Sequence, residues 1–183
     1  MTLIYKTVGR GTEEMAEWEP GQQVDLLTGL GNGYDLTMPC ECPVLIGGGV
    51  GVPPLYYLCR ALVQKGASPS VVLGFNTADD VFLVEEFIAL GVPVTLVTMD
   101  GTMGHKGVVT DALPERYDAF FACGPEPMLK AVCLSTKTSG QLSFEERMGC
   151  GFGACMGCSC ETLTGYKRIC KDGPVLQKEE IKW

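Results

Sequence analysis

The chain has 183 residues, a formal net charge of −8, and 46 % hydrophobic against 20 % charged residues. That composition is enough to bury a core, and the acidic balance argues against nucleic acid or an anionic membrane surface as main partner, because both need a basic face. Ten cysteines are many for this length, yet MTLIYKTVGRGTEE lacks the features of a secretory signal and no stretch approaches the roughly 20 apolar residues of a membrane span, so metal chemistry in a reducing cytoplasm is a better reading than a disulfide framework.

Residues 1–36 read as β structure. TLIYKTV is a short strand, and GRGTEEMAEW is a turn into one short helix with Thr12 as N-cap and Glu13 and Glu14 in its first turn. PGQQVDLLT is a turn feeding a second strand, followed by the glycine-rich GLGNGYDL. Two strands and a helical turn do not make an independent domain, so this piece is expected to be the end of a barrel or to pack on the segment after it.

Residues 43–140 alternate regularly. PVLIGGG is a buried strand, and PPLYYLCRALVQKG is a helix with proline in its first turn and Gly66 as C-cap. SVVLGF, VPVTLVT and YDAFFACG are further strands; DDVFLVEEFIALG and PEPMLKAVCLSTK are helices, and GVVTDALPER carries a short one. Apolar strands alternating with amphipathic helices predict parallel βαβ units in an open α/β sheet. LSFEER adds a strand. From residue 148 the texture turns to glycine and cysteine, MGCGFGACMGCSC, and then to a hairpin-like ETLTGYKRIC. The predicted divisions are 1–40, 41–140 and 141–183.

Four cysteines are spaced Cys150-x4-Cys155-x2-Cys158-x11-Cys170, the plant-type pattern for a [2Fe–2S] cluster. The cluster needs four thiolates, and its sulfides want backbone N–H donors. Gly149, Gly151, Gly153, Ala154 and Gly157 leave room for amides to point inward. A zinc site usually brings C-x2-C twice, and only one such pair exists here. Cys160 competes with Cys170 as fourth ligand; Cys170 is favoured because a returning segment can close the far side of the cluster. Cys40, Cys42, Cys59 and Cys133 read as bystanders, the last two in helices.

IGGGVGVPP runs from a strand into a helix. Gly47, Gly48, Gly49 and Gly51 let the backbone approach a pyrophosphate at a helix N-terminus, the alternative being a turn that merely packs tightly. No Gly-Lys-Ser/Thr follows, and the pattern is not G-x-G-x-x-G. In FFACGPEPM, Cys123, Gly124 and Pro125 stand at the C-terminal end of a strand, where open α/β sheets bind ligands. A small polarizable thiol there can lie against a nicotinamide ring. Asp79 and Asp80 follow the second strand, where a carboxylate favours NAD through the ribose hydroxyls. His105 reads as a loop residue, the alternative being a place near the dinucleotide, and Lys106 beside it can meet a phosphate.

GGGVGVPP paired with CGPEPM is similar to the NAD(P)-binding module of ferredoxin reductases. With CGFGACMGCSCET and KRICKDGPV after it, the whole order resembles the electron transfer subunits of bacterial dihydroorotate dehydrogenase B, and GNGYDL and KDGPV fit that family more closely than its relatives. The resemblance implies a ferredoxin-reductase-type parallel sheet, a partial FAD-binding β-barrel before it and a small C-terminal [2Fe–2S] domain. It implies electrons passing from the FMN of a dihydroorotate-oxidising partner through the cluster and FAD to NAD+, in pyrimidine biosynthesis, in a cytoplasmic heterotetramer with two copies of each subunit. Carried over, Ile4, Tyr5 and Lys6 match the strand touching FAD, Gly11 and Thr12 the turn at its pyrophosphate, and Cys150, Cys155, Cys158 and Cys170 the cluster ligands. The sequence departs from the family in one respect: the barrel's Arg-Pro-x-Ser-type motif has no counterpart, and the sequence starts at what would be the barrel's later strands. Two alternatives stay open, a small subunit of another NAD(P)H-dependent complex and a flavin-less iron–sulfur carrier.

Overall fold

The computed structural model describes residues 2–183. Its frame is a seven-stranded sheet. β1 (Val44–Gly48) leads through a 3-10 turn into α2 (Val52–Gln64), the second helix after α1 (Arg10–Ala16). β2 (Ser70–Phe75), α3 (Val84–Ala89), β3 (Val94–Thr98) and the edge strand β4 (His105–Lys106) follow; then come β5 (Phe120–Cys123), α4 (Glu126–Ser135) and β6 (Gly140–Ser143). A hairpin of β7 (Ser159–Thr162) and β8 (Gly165–Arg168) precedes β9 (Val175–Gln177). The large sheet runs β4-β3-β2-β1-β5-β6-β9; all neighbours are parallel except β9, which is antiparallel to β6.

The central strands read as unbroken apolar runs because both sheet faces are covered. On one face Val44, Ile46, Val72, Phe120, Ala122 and Leu142 pack with Leu129 and Val132 of α4. On the other Leu45, Val71, Leu73 and Phe121 pack with Leu55, Leu58 and Leu62 of α2 and with Phe87 of α3. The chain builds the sheet outward from β1 in one direction to β4 and then returns to β1's other side with β5. The C-terminal ends of β1 and β5 therefore form the switch point, the crevice where open α/β sheets take ligands.

Four expectations are corrected. No strand ladder forms over residues 2–31: a strand exists only where its N–H and C=O groups meet a second strand, and none pairs with TLIYKTV or PGQQVDLLT, whose Leu3, Val8, Val24, Leu26 and Leu27 are exposed. α1 does form there, but its N-cap is Gly9; Thr12 sits a turn inside, its Oγ1 accepting the Val8 and Gly9 N–H groups at 2.9 and 3.2 Å. The helix expected from Asp79 starts only at Val84, because Leu83 adopts a left-handed φ of 63° that lets Phe82 pack edge-on against Phe75, with ring centroids 5.6 Å apart. His105 and Lys106 are exposed strand residues beside β3 rather than loop.

Two motifs distant in sequence meet. Asn32 of GNGYDL accepts the Val175 N–H, and its Nδ2 donates to the carbonyls of Lys171 and Asp172 at 3.3 Å each. Buried Gln141 holds the next turn: its Oε1 accepts the Asp35 N–H at 2.8 Å and its Nε2 donates to the Asp35 carbonyl at 3.0 Å. The C-terminal segment is thus tied to the large sheet twice, through β9 and through this linker.

Candidate functional site

At the switch point a cavity of about 830 Å³ opens between the end of β1, the end of β5 and the N-terminal segment. Gly48, Gly49 and Gly51 line it from one side, Cys123, Gly124 and Pro125 from another, and Ile4, Tyr5 and Lys6 from a third. The two glycine motifs interlock: a Cβ on Gly51 would run into the Cys123–Gly124 peptide. Gly49 has φ +52° and open space where a side chain would project, which leaves its backbone bare toward the cavity. Gly47 does not line the cavity; its role is packing, since a Cβ there would come to 3.0 and 3.1 Å of Val52 and Leu55 on α2. Gly11 and Thr12 lie outside it, as do Asp79, His105 and Lys106, whereas Asp80 is on the wall together with Asn76.

The sequence reading missed the support beneath Cys123. Tyr34 reaches under β5, donates its hydroxyl to the Ala122 carbonyl at 2.9 Å and stacks edge-on to Phe121 at 5.7 Å. Burial pushes the Tyr34 phenol well above its ordinary range and also raises the Cys123 thiol, so both are neutral near pH 7. Ser143, at the end of β6, stands on the cavity wall beside them. The aromatic after Asn32–Gly33 carried no signal that marked it as part of a site.

The four spaced cysteines fall into two pairs. Cys150 Sγ accepts the N–H groups of Ala154 and Cys155 at 3.3 and 3.4 Å, and Cys155 Sγ accepts that of Gly157 at 3.4 Å. Cys158 Sγ accepts the Cys170 N–H at 3.4 Å. These donors act on charge: the Cys155 amide, then the Phe152 amide, pull Cys150 down to about 6, and the Cys170 amide lowers Cys158. Cys170 is raised, first by its hydrogen bond to Cys158 and then by burial. Cys160 differs. Burial raises its thiol, and it faces a separate cleft of about 470 Å³ beside Phe144 and Trp183. Among the described residues no group of three or more His, Cys, Asp or Glu side chains is placed to hold a metal ion. Glycine flanks Cys155 on both sides of the loop, where a Cβ on Gly149 or Gly157 would sit 3.4 or 3.5 Å from its sulfur. Paired thiols, amide donors and bare backbone fit the cluster.

Comparison with known proteins gives the same two parts. Residues 145–182 match the family "iron–sulfur cluster binding domain of dihydroorotate dehydrogenase B", and residues 45–134 match the "oxidoreductase NAD-binding domain". The electron transfer subunit of dihydroorotate dehydrogenase B (NAD+) from Geobacillus sp. (strain WCH70) is 46 % identical over 98 % of this chain and 73 % of its own length. The subunit of the same name from Fusobacterium nucleatum is 40 % identical over 100 % of this chain and 74 % of its own length. Among solved structures, a chain of the NADH-dependent reduced ferredoxin-NADP oxidoreductase superposes with TM-score 0.86 at 33 % identity, covering 98 % of this chain and 67 % of the other.

Proposed function

Because the chain belongs to the family of dihydroorotate dehydrogenase B electron transfer subunits, we propose that it carries electrons from the FMN of a dihydroorotate-oxidising partner to NAD+. The partner is a separate catalytic subunit, in a heterotetramer of two copies of each, working in the cytoplasm in pyrimidine biosynthesis. Among the described residues no helix is long and apolar enough to cross a membrane. Residues 1–40 belong to the flavin-binding part, 41–140 to the NAD module and 141–183 to the cluster domain.

When bound, a [2Fe–2S] cluster exchanges single electrons, NAD exchanges a hydride, and FAD between them does either. The residues supply the rest. Cys150, Cys155, Cys158 and Cys170 would hold the cluster, and the amides of Ala154, Cys155, Gly157 and Cys170 donate to the sulfurs. Gly48, Gly49 and Gly51 admit a pyrophosphate to the start of α2. Cys123, Gly124 and Pro125 offer a small neutral surface to the nicotinamide. Asp80 accepts from the ribose hydroxyls. Ile4, Tyr5 and Lys6 meet the flavin on the opposite wall, and Gly11 and Thr12 its pyrophosphate. Phe82 and Met128 keep the cavity's lining apolar and exclude water from a hydride path.

The observation that carries this reading is the convergence of three separate segments, 4–6, 48–51 and 123–125, on one cavity in a chain that also holds the paired thiols. Mixing the chain anaerobically with an FMN-containing dihydroorotate-oxidising subunit tests it. Dihydroorotate-dependent NADH formation is expected. Its absence, with activity appearing instead on a ferredoxin, would move the chain to a second reading, the small subunit of a ferredoxin-linked NAD(P) oxidoreductase, which the TM-score of 0.86 supports.

A further inference from the structure

Arg168 divides its planar fork between two partners. Nε and Nη2 donate to the Asp172 carboxylate at 3.0 and 3.4 Å, and Nη1 donates to the Gly153 carbonyl at 3.0 Å. Asp172 also accepts the backbone N–H of Arg168 at 2.9 Å, so one carboxylate fixes both the main chain and the side chain of the arginine. The Gly153 carbonyl belongs to the same peptide unit as the Ala154 N–H, and that N–H donates to Cys150 Sγ at 3.3 Å. A continuous line therefore runs from the carboxylate through the guanidinium and one peptide to a cluster thiolate. Gly153 sits at φ +90°, a conformation that the loop alone would hold weakly and that the arginine pins from outside.

We infer that Arg168 is a positioning residue that sets the reduction potential of the cluster through the Gly153–Ala154 peptide. The inference rests on the reading of Cys150, Cys155, Cys158 and Cys170 as cluster ligands. A donor on a peptide carbonyl polarises that peptide, so the N–H at its other end becomes a stronger donor. Hydrogen bonds to the sulfurs are among the factors that set the potential of such clusters. Reduction adds one electron and breaks no bond at the thiolates, so a fixed donor favours the more negative, reduced state. Lysine carries the same charge but has no fork with which to serve Asp172 and Gly153 together, which separates orientation from charge alone.

The test is an anaerobic redox titration, followed by electron paramagnetic resonance, of the full chain with its cluster loaded, as wild type, Arg168→Gln and Arg168→Lys. Both variants are expected to retain iron and cluster absorbance, and both midpoints to shift to more negative potential by comparable amounts. A shift in the glutamine variant with none in the lysine variant would overturn the inference in favour of bare charge, and no shift in either would overturn it outright. Loss of iron from both variants would overturn it too, leaving Arg168 a structural clamp. A wild-type chain that binds no iron would instead bring down the cluster reading, and this inference with it; that result is visible before any variant is made.

Discussion

Cys158, in the turn before β7, and Cys160, within β7, stand two residues apart, yet their surroundings part them. The Cys158 sulfur takes an amide hydrogen bond and is drawn toward thiolate, while burial keeps the Cys160 thiol neutral against a cleft lined by Phe144 and Trp183. Cys160→Ser is therefore expected to keep its full iron content, and Cys170→Ser to lose most of it; equal loss from both, measured as iron per chain, would contradict the assignment. Asp80 is the second residue with a specific consequence. It stands on the cavity wall after β2, and in the proposed function its carboxylate accepts from the ribose hydroxyls and disfavours a 2′-phosphate. Asp80→Asn is expected to lower the preference for NADH over NADPH, as the ratio of kcat/KM in dye reduction, by about tenfold, equivalent to roughly 1.4 kcal/mol. The cysteine spacing was readable in the sequence because the four residues lie close together along the chain. Tyr34 was not, since its place under Cys123 depends on a linker crossing to β5, and nothing in its neighbours' periodicity records that crossing.

At the scale of elements, the alternation of apolar runs and proline-started helices told most of the sheet. Strands buried on both faces and helices with one apolar stripe are patterns local enough to read directly. What stayed hidden is of two kinds. β9 is three residues long and antiparallel, and its existence depends on β6 lying open beside it. The N-terminal segments carry strand-like composition but meet no partner ladder, so propensity alone does not make them strands. The linker is the other long-range feature, and buried Gln141 is what fastens it to β6. Gln141→Leu keeps the volume but leaves the Asp35 N–H and carbonyl without their partners. We expect a loss of about 2 kcal/mol in denaturant unfolding, whereas a change within experimental error would mean that Asn32 and Tyr34 hold the linker without Gln141.

For the molecule as a whole, the arrangement places a nucleotide crevice and a thiolate loop on one frame. The C-terminal segment enters the large sheet as its last strand, and Lys178 fixes it further, its Nζ donating to the Thr136 and Thr138 carbonyls at 2.6 and 3.1 Å above the Phe120 ring. Cluster and crevice are thereby held in a fixed relation rather than on a loose tether, as a path for single electrons requires. In the proposed function, electrons pass between these two sites. The most direct test is the visible absorbance of the anaerobically purified full chain before and after NADH, with iron counted on the same sample. About two irons per chain and bleaching of the cluster absorbance on adding NADH are predicted. A chain that holds zinc or no iron, or a cluster that NADH leaves oxidised, would contradict it.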